Sequence, residues 1–338
     1  MTPVTRSPPT RAGRALRKIG LLAGVVVACL AGAAPASAHL RSGTVAVDYR
    51  ASVADPVTGA YAAQIYQSDH GLSLTLRPGH VVVMLGYLGE PVIRLDAMGV
   101  SVNAASPTAR AMHLVDKAHA VNAAGPRWRL QRGRRSIVWH DARVQGLPAG
   151  MTDGVWKVPL VIDGRDAVLS GRLRRFPDPP LWLWLLVLVC WLVIGALPLI
   201  RRRRDQVRTW AMALGTIAAG AATVVALALA LDAYASPGTW IVGADVIIFL
   251  AVGVGVMRRG PPHLRIAGAL WVGLVSVALG LLDGAVFLHP IVLAILPGTV
   301  MRLLVVTAIG AGAGAAVLGS TRFSEITAAT SRADSVSP

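Results

Sequence analysis

The sequence predicts two folds in one chain: an all-β, Ig-like sandwich followed by an all-α polytopic membrane domain of about five transmembrane helices. Three observations carry this. Short stretches between residues 44 and 173 alternate apolar and polar side chains, the period of two expected of half-buried strands. Residues 181–200 then run without a single charge, and about twenty apolar residues match the hydrocarbon thickness of a bilayer. Arg201, Arg202, Arg203 and Arg204 follow at once and mark a cytoplasmic flank.

Residues 1–38 read as a cleavable signal peptide. Arg6, Arg11, Arg14, Arg17 and Lys18 precede the apolar stretch 19–31, and Ala36-Ser37-Ala38 is the small-x-small pattern that a signal peptidase cuts after. The alternative is an uncleaved anchor, for which the apolar stretch is short. Cleavage after Ala38 makes His39 the mature N-terminus. Of the two cysteines, Cys29 lies in the signal and Cys190 in the first span. The exported part therefore holds neither a disulfide nor a thiolate metal site.

Residues 39–178 form the extracytoplasmic β-sandwich domain. The stretch 44–53 alternates over ten residues, and 72–76, 81–85, 100–102, 128–130, 137–139, 155–162 and 168–173 repeat the pattern. Asp55-Pro56, Arg77-Pro78-Gly79, Pro148-Ala149-Gly150 and Asp163-Gly164 punctuate them as turns. Many short strands with regular turns and no long helical period argue for an antiparallel sandwich. The stiff segment Phe176-Pro177-Asp178-Pro179-Pro180 closes this domain.

Residues 179–320 form the transmembrane domain, with spans over 181–200, 209–231, 240–257, 266–282 and 303–319 and an apolar interfacial segment over 287–301. Arg201–Arg204, Arg208, Arg258, Arg259 and Arg265 fall in the two loops on one side, and Asp232 and Asp283 fall on the other. The positive-inside rule therefore makes this a multi-pass cell-membrane protein with an extracytoplasmic N-terminal domain and a cytoplasmic C-terminus. The polar stretch 321–338 reads as a disordered cytoplasmic tail. The chain carries 33 basic and 17 acidic residues. That excess sits at membrane edges, where it meets lipid headgroups and does not form a nucleic-acid groove. Gly310 and Gly314, like Gly280 and Gly284, have the four-residue spacing that lets helices approach, within the chain or in a homodimer.

Three groups of side chains could carry chemistry. Asp245 lies a short way inside the third span, where a carboxylate is costly without a partner or a cavity. Asp232, Asp283, His289 and Arg302 fall at the same outer level. They read either as a polar vestibule for a cation or proton, or as a structural pair of Asp245 with Arg302. In the exported domain, Trp139-His140-Asp141-Ala142-Arg143 places a histidine beside a carboxylate at a strand end. His39, with its ring and free α-amine, is a chelate for a borderline metal such as copper(II), and His70, His80, His113, His119 or His140 could complete the site. No Gly-x-Ser-x-Gly or His-Glu-x-x-His occurs, so no catalytic residue is assigned and the chain is read as a non-enzyme.

The run Gly86-Tyr87-Leu88-Gly89-Glu90-Pro91, with Arg94-Leu95, Val102-Asn103, Ser106-Pro107-Thr108 and Trp139-His140-Asp141, resembles an uncharacterised family of exported membrane proteins from high-GC bacteria. That resemblance covers most of 39–320 and implies a β-rich ectodomain with C-terminal helices, and no established activity. Ala142 stands where members of that family often have a second histidine. The mature N-terminal His39 and the segment Trp156-Lys157-Val158-Pro159-Leu160, with Asp163-Gly164 and Gly171, are similar to periplasmic copper-resistance domains. The Met-rich copper(I) segment of those domains is missing.

The sequence leaves two functional readings open. In one, the sandwich binds an envelope protein or a small ligand, with Glu90, Trp139, His140, Asp141 and Arg143 as the polar contact surface. In the other, the protein handles copper, captured by His39 and received by the outer Asp245, His289 and Arg302 level.

Overall fold

The computed structural model describes residues 45–68, 71–115, 125–200, 204–232 and 237–336. They fall into a β unit, Ala46–Asp178 with His289–Leu293, and a helical unit that includes Pro179–Leu288 and the chain after Leu293. The predicted signal peptide, His39, His70, His119 and Arg201 to Arg203 lie outside the described residues.

In the β unit, β1 (Ala46–Val47), β2 (Tyr49–Val53), β3 (Tyr61–Tyr66), β4 (Gly71–Leu76), β5 (Val82–Leu85), β6 (Pro91–Asp96) and β7 (Gly99–Asn103) precede a short helix, α1 (Pro107–Ala111). Then come β8 (Trp128–Arg132), β9 (Ser136–Trp139), β10 (Asp153–Ile162) and β11 (Arg165–Arg175). Seven strands form one sheet in the order β2-β11-β10-β5-β6-β7-β8, and three form another, β3-β4-β9. Every pairing is antiparallel. Leu72, Leu74, Ile137 and Trp139 from the small sheet share one core with Met84, Ile93, Leu95, Val100, Trp156, Val158, Leu160 and Leu169 from the large one. Two sheets closing on a common apolar layer make a sandwich. Alternation is clearest in β10, where Trp156, Val158 and Leu160 are buried and Val155, Lys157 and Pro159 point out. Pro159, which cannot donate to a ladder, is tolerated because pairing with β5 begins only at Leu160.

The expected single strand over 44–53 is broken at Asp48. β2 pairs with β11, whereas β1 pairs with β12 (Ile291–Val292), and one straight strand could not serve both partners. Asp48 Oδ1 lies 2.7 Å from His289 Nδ1. The segment 287–301, read from sequence as interfacial, is thus divided, and its residues 289–293 belong to the β unit.

The helical unit contains α2 (Leu181–Ile200), α3 (Arg204–Ala230), α4 (Pro237–Arg259), α5 (Pro262–Leu282) and α6 (Gly298–Val336). Each contains a stretch long and apolar enough to cross a membrane. α6 is the most enclosed and packs against α2, α3 and α5. It starts at Gly298, directly after Pro297, earlier than the expected 303; Arg302 is therefore helical. It also continues through the stretch expected to be a disordered tail, because no glycine or proline interrupts 320–336. The four-residue glycine spacing operates inside the chain. A side chain at Gly310 would overlap the Trp191 side chain of α2, and one at Gly314 would lie 2.9 Å from Leu214 of α3. Gly280 faces Ile309 of α6, while Gly284 is open.

Candidate functional site

The loop between β5 and β6, residues 86–90, is tied down from two directions. Its backbone closes through Gly86 N–H donating to the Glu90 carbonyl at 2.7 Å. Glu90 then reaches the start of α1, where Oε1 accepts from Ser106 Oγ at 2.8 Å and from Thr108 N–H at 3.1 Å. Its Oε2 accepts from Leu88 N–H at 3.2 Å. Ser106 is also the N-cap of α1, accepting from Ala109 N–H at 3.0 Å, the role its hydroxyl suits best. Thr108 Oγ1 accepts from Tyr87 N–H at 2.9 Å. The carboxylate and hydroxyl come so close to Gly86 that an added Cβ would sit 2.5 Å from Thr108 Oγ1 and 2.6 Å from Glu90 Cδ. Only glycine fits there. Burial acts to raise the Glu90 pKa, but hydrogen bonds from Thr108 and Ser106 and from backbone N–H groups outweigh it and hold the carboxyl at about 2.

The second anchor is Asp141, only 1% exposed. Trp139 Nε1–H donates to its Oδ2 at 3.1 Å. Arg143 donates Nε–H to Oδ1 at 2.9 Å and Nη2–H to Oδ2 at 2.8 Å, a bidentate pair. The backbone N–H of Arg143 adds a fourth donor at 3.1 Å. The guanidinium also donates to the Leu85 carbonyl at 3.2 Å and lies over the Tyr87 ring, 5.0 Å from its centroid. Tyr87 Oη accepts from Ala142 N–H at 3.0 Å, and burial raises the phenol pKa.

What remains outward is apolar. Leu88 at the loop tip is 78% exposed and Tyr87 is 42% exposed. The sequence reading named Glu90, Trp139, His140, Asp141 and Arg143 as a polar contact surface. The structure brings Glu90 and the Trp139, Asp141, Arg143 group to one loop, with His140 half-buried beside them. Trp139 and Asp141 are buried and Glu90 is saturated by internal donors, so these residues support the loop from within. Sequence reasoning missed Tyr87 and Leu88 as the presented pair. An aromatic and an aliphatic residue between Gly86 and Gly89, in a turn, were the available signal.

The metal candidates do not assemble among the described residues, where no group of three or more His, Cys, Asp or Glu could hold an ion. His113 sits just past α1 in a left-handed conformation, φ 55°. His39, His70 and His119 lie outside the described residues, so a copper site would have to rest on them.

The membrane polar cluster is divided. His289 belongs to the β unit and meets Asp48. Arg302, 6% exposed on α6, donates Nε–H to the Val286 carbonyl at 2.6 Å. Asp283 ends α5, and Asp232 is half-buried just past α3. Asp245 is exposed on α4, and no ion pair joins it to Arg302 among the described residues. A cavity of about 300 Å³ within the helical unit is lined by apolar residues, among them Leu229, Val242, Val246 and Val305, with Asp283 and Thr239. Asp245 does not line it.

Comparison with known proteins finds no match to this chain among protein-family models, curated sequences or solved structures.

Proposed function

We propose that the chain is a multi-pass cell-membrane protein whose β-sandwich stands outside the cytoplasm and binds an envelope protein through the tip of the 86–90 loop. The observation that carries this reading is the contrast at that loop. Its exposed tip is Tyr87 and Leu88, whereas its polar groups are bound internally by Ser106, Thr108, Trp139 and Arg143. A fixed aromatic–aliphatic tip loses little conformational freedom when it enters a partner's pocket, which is how anchoring residues contribute affinity. The same contrast favours a binding module over an enzyme, because the carboxylate oxygens of Glu90 and Asp141 are taken up by internal donors. The orientation follows from the arginine-rich loops after α2 and α4, which the positive-inside rule assigns to the cytoplasm. The signal-like residues 1–38 agree with it.

The test is photo-cross-linking of the full-length protein in its native membrane, with benzoyl-phenylalanine at position 88. One discrete protein adduct is expected from position 88 and none from position 168, which is exposed elsewhere on the β unit. Labelling of lipid or a small molecule alone, or equal adducts from both positions, would refute the loop as a protein-binding surface.

A further inference from the structure

We infer that the outward face of α4 is the docking site for a transmembrane helix of a different protein, one carrying a lysine or arginine at the depth of Asp245. The inference rests on α4 crossing the bilayer, but not on the function proposed for the 86–90 loop. Ile241, Asp245, Ile248 and Val252 are spaced by four, three and four residues and share one helix face. The three apolar members of this stripe are 60–63% exposed, and Asp245 is exposed between them. The opposite face is already covered: Gly243, Val246, Leu250 and Met257 are buried, and Gly243 faces Ala226 and Ala230 of α3.

Arg258 and Arg259 end the helix. Asp245 lies thirteen residues before Arg258, roughly 20 Å away at 1.5 Å per residue, inside a hydrocarbon layer about 30 Å thick. A short carboxylate at that depth cannot snorkel to water as lysine does. It needs a cavity or an opposite charge. The cavity of the helical unit is lined by its neighbours Val242, Gly243 and Val246 and not by Asp245. No hydrogen bond or ion pair reaches Asp245 among the described residues.

Charge complementarity also decides against a second copy of this chain. Within the spans, Arg208, Arg258, Arg259 and Arg265 sit at helix ends, far from the Asp245 level. Arg302 is buried and donates to the Val286 carbonyl. Two copies meeting through α4 would oppose Asp245 to Asp245. A partner helix with a basic residue would neutralise it while covering Ile241, Ile248 and Val252.

The experiment places benzoyl-phenylalanine at position 248 of the full-length protein and irradiates native membranes. The expected result is an adduct with a different membrane protein whose span contains a lysine or arginine. Asp245→Asn should lower the adduct yield about tenfold, and Asp245→Lys combined with an acidic residue at the partner's basic position should restore it. An adduct of two copies of this chain, a lipid-only adduct, a partner span without a basic residue, or a yield unchanged in Asp245→Asn would each overturn the proposal. Retention of the protein in the pellet after alkaline carbonate extraction shows that membrane integration itself stands. Extraction into the supernatant would instead remove the membrane reading on which the proposal rests.

Discussion

Glu90 and Asp141 hold the same loop through different kinds of donor. Asp141 is enclosed and matched by an indole N–H, a guanidinium and a backbone N–H, so its charge is balanced where it lies. Glu90 is half-buried and depends on hydroxyl and backbone donors, which pull its pKa from the ordinary 4.5 to about 2. A carboxyl whose folded value is depressed contributes stability that is fully present above its ordinary value and is lost as pH falls through about 2. Glu90→Gln should therefore cost about 1–2 kcal/mol at neutral pH, after allowance for solvent screening. The difference from wild type should shrink between about pH 5 and pH 2. Acid titration of both proteins, followed by pepsin cleavage of the β unit, measures this; a gap that stays constant across that range would contradict the assignment.

At the scale of elements, periodicity revealed most of the sandwich and left two strands out. β3 reads Tyr61-Ala62-Ala63-Gln64-Ile65-Tyr66, and its alanines carry little β preference, so only pairing with β4 makes it a strand. β6 begins with Pro91, which weakens any strand signal, yet Val92, Ile93 and Leu95 are fully buried in it. The candidate loop was legible only in part for a related reason. Trp139, Asp141 and Arg143 are close in sequence and their association could be anticipated. Glu90 meets Ser106 and Thr108 across 16 to 18 residues, a pairing that exists only once β6 and β7 have formed. In the helical unit, glycine spacing announced close packing but not which helix would be approached. Gly310 turns out to face Trp191, so Gly310→Leu should destabilise the α2–α6 contact by about 1–3 kcal/mol. A lower thermal aggregation temperature of the purified full-length protein in detergent would register this, and an unchanged temperature would argue against the packing.

For the whole molecule, the orientation is open to a direct check. Protease added to intact spheroplasts should degrade the β unit and spare the loops around Arg208 and Arg265; the reverse pattern would invert the protein and with it the surface offered to partners. The short pairing of β1 with β12 bears on how the protein is made. Residues 46–47 find their partner more than 240 positions later, at 291–292, after four of the five helices that are long and apolar enough to cross a membrane among the described residues. In the orientation proposed above, the leading portion of the β unit would cross the membrane early, while Ala46–Val47 would stay unpaired until Ile291–Val292 followed. A chain truncated before residue 289 would lack the partner of that strand and leave the β unit unfinished.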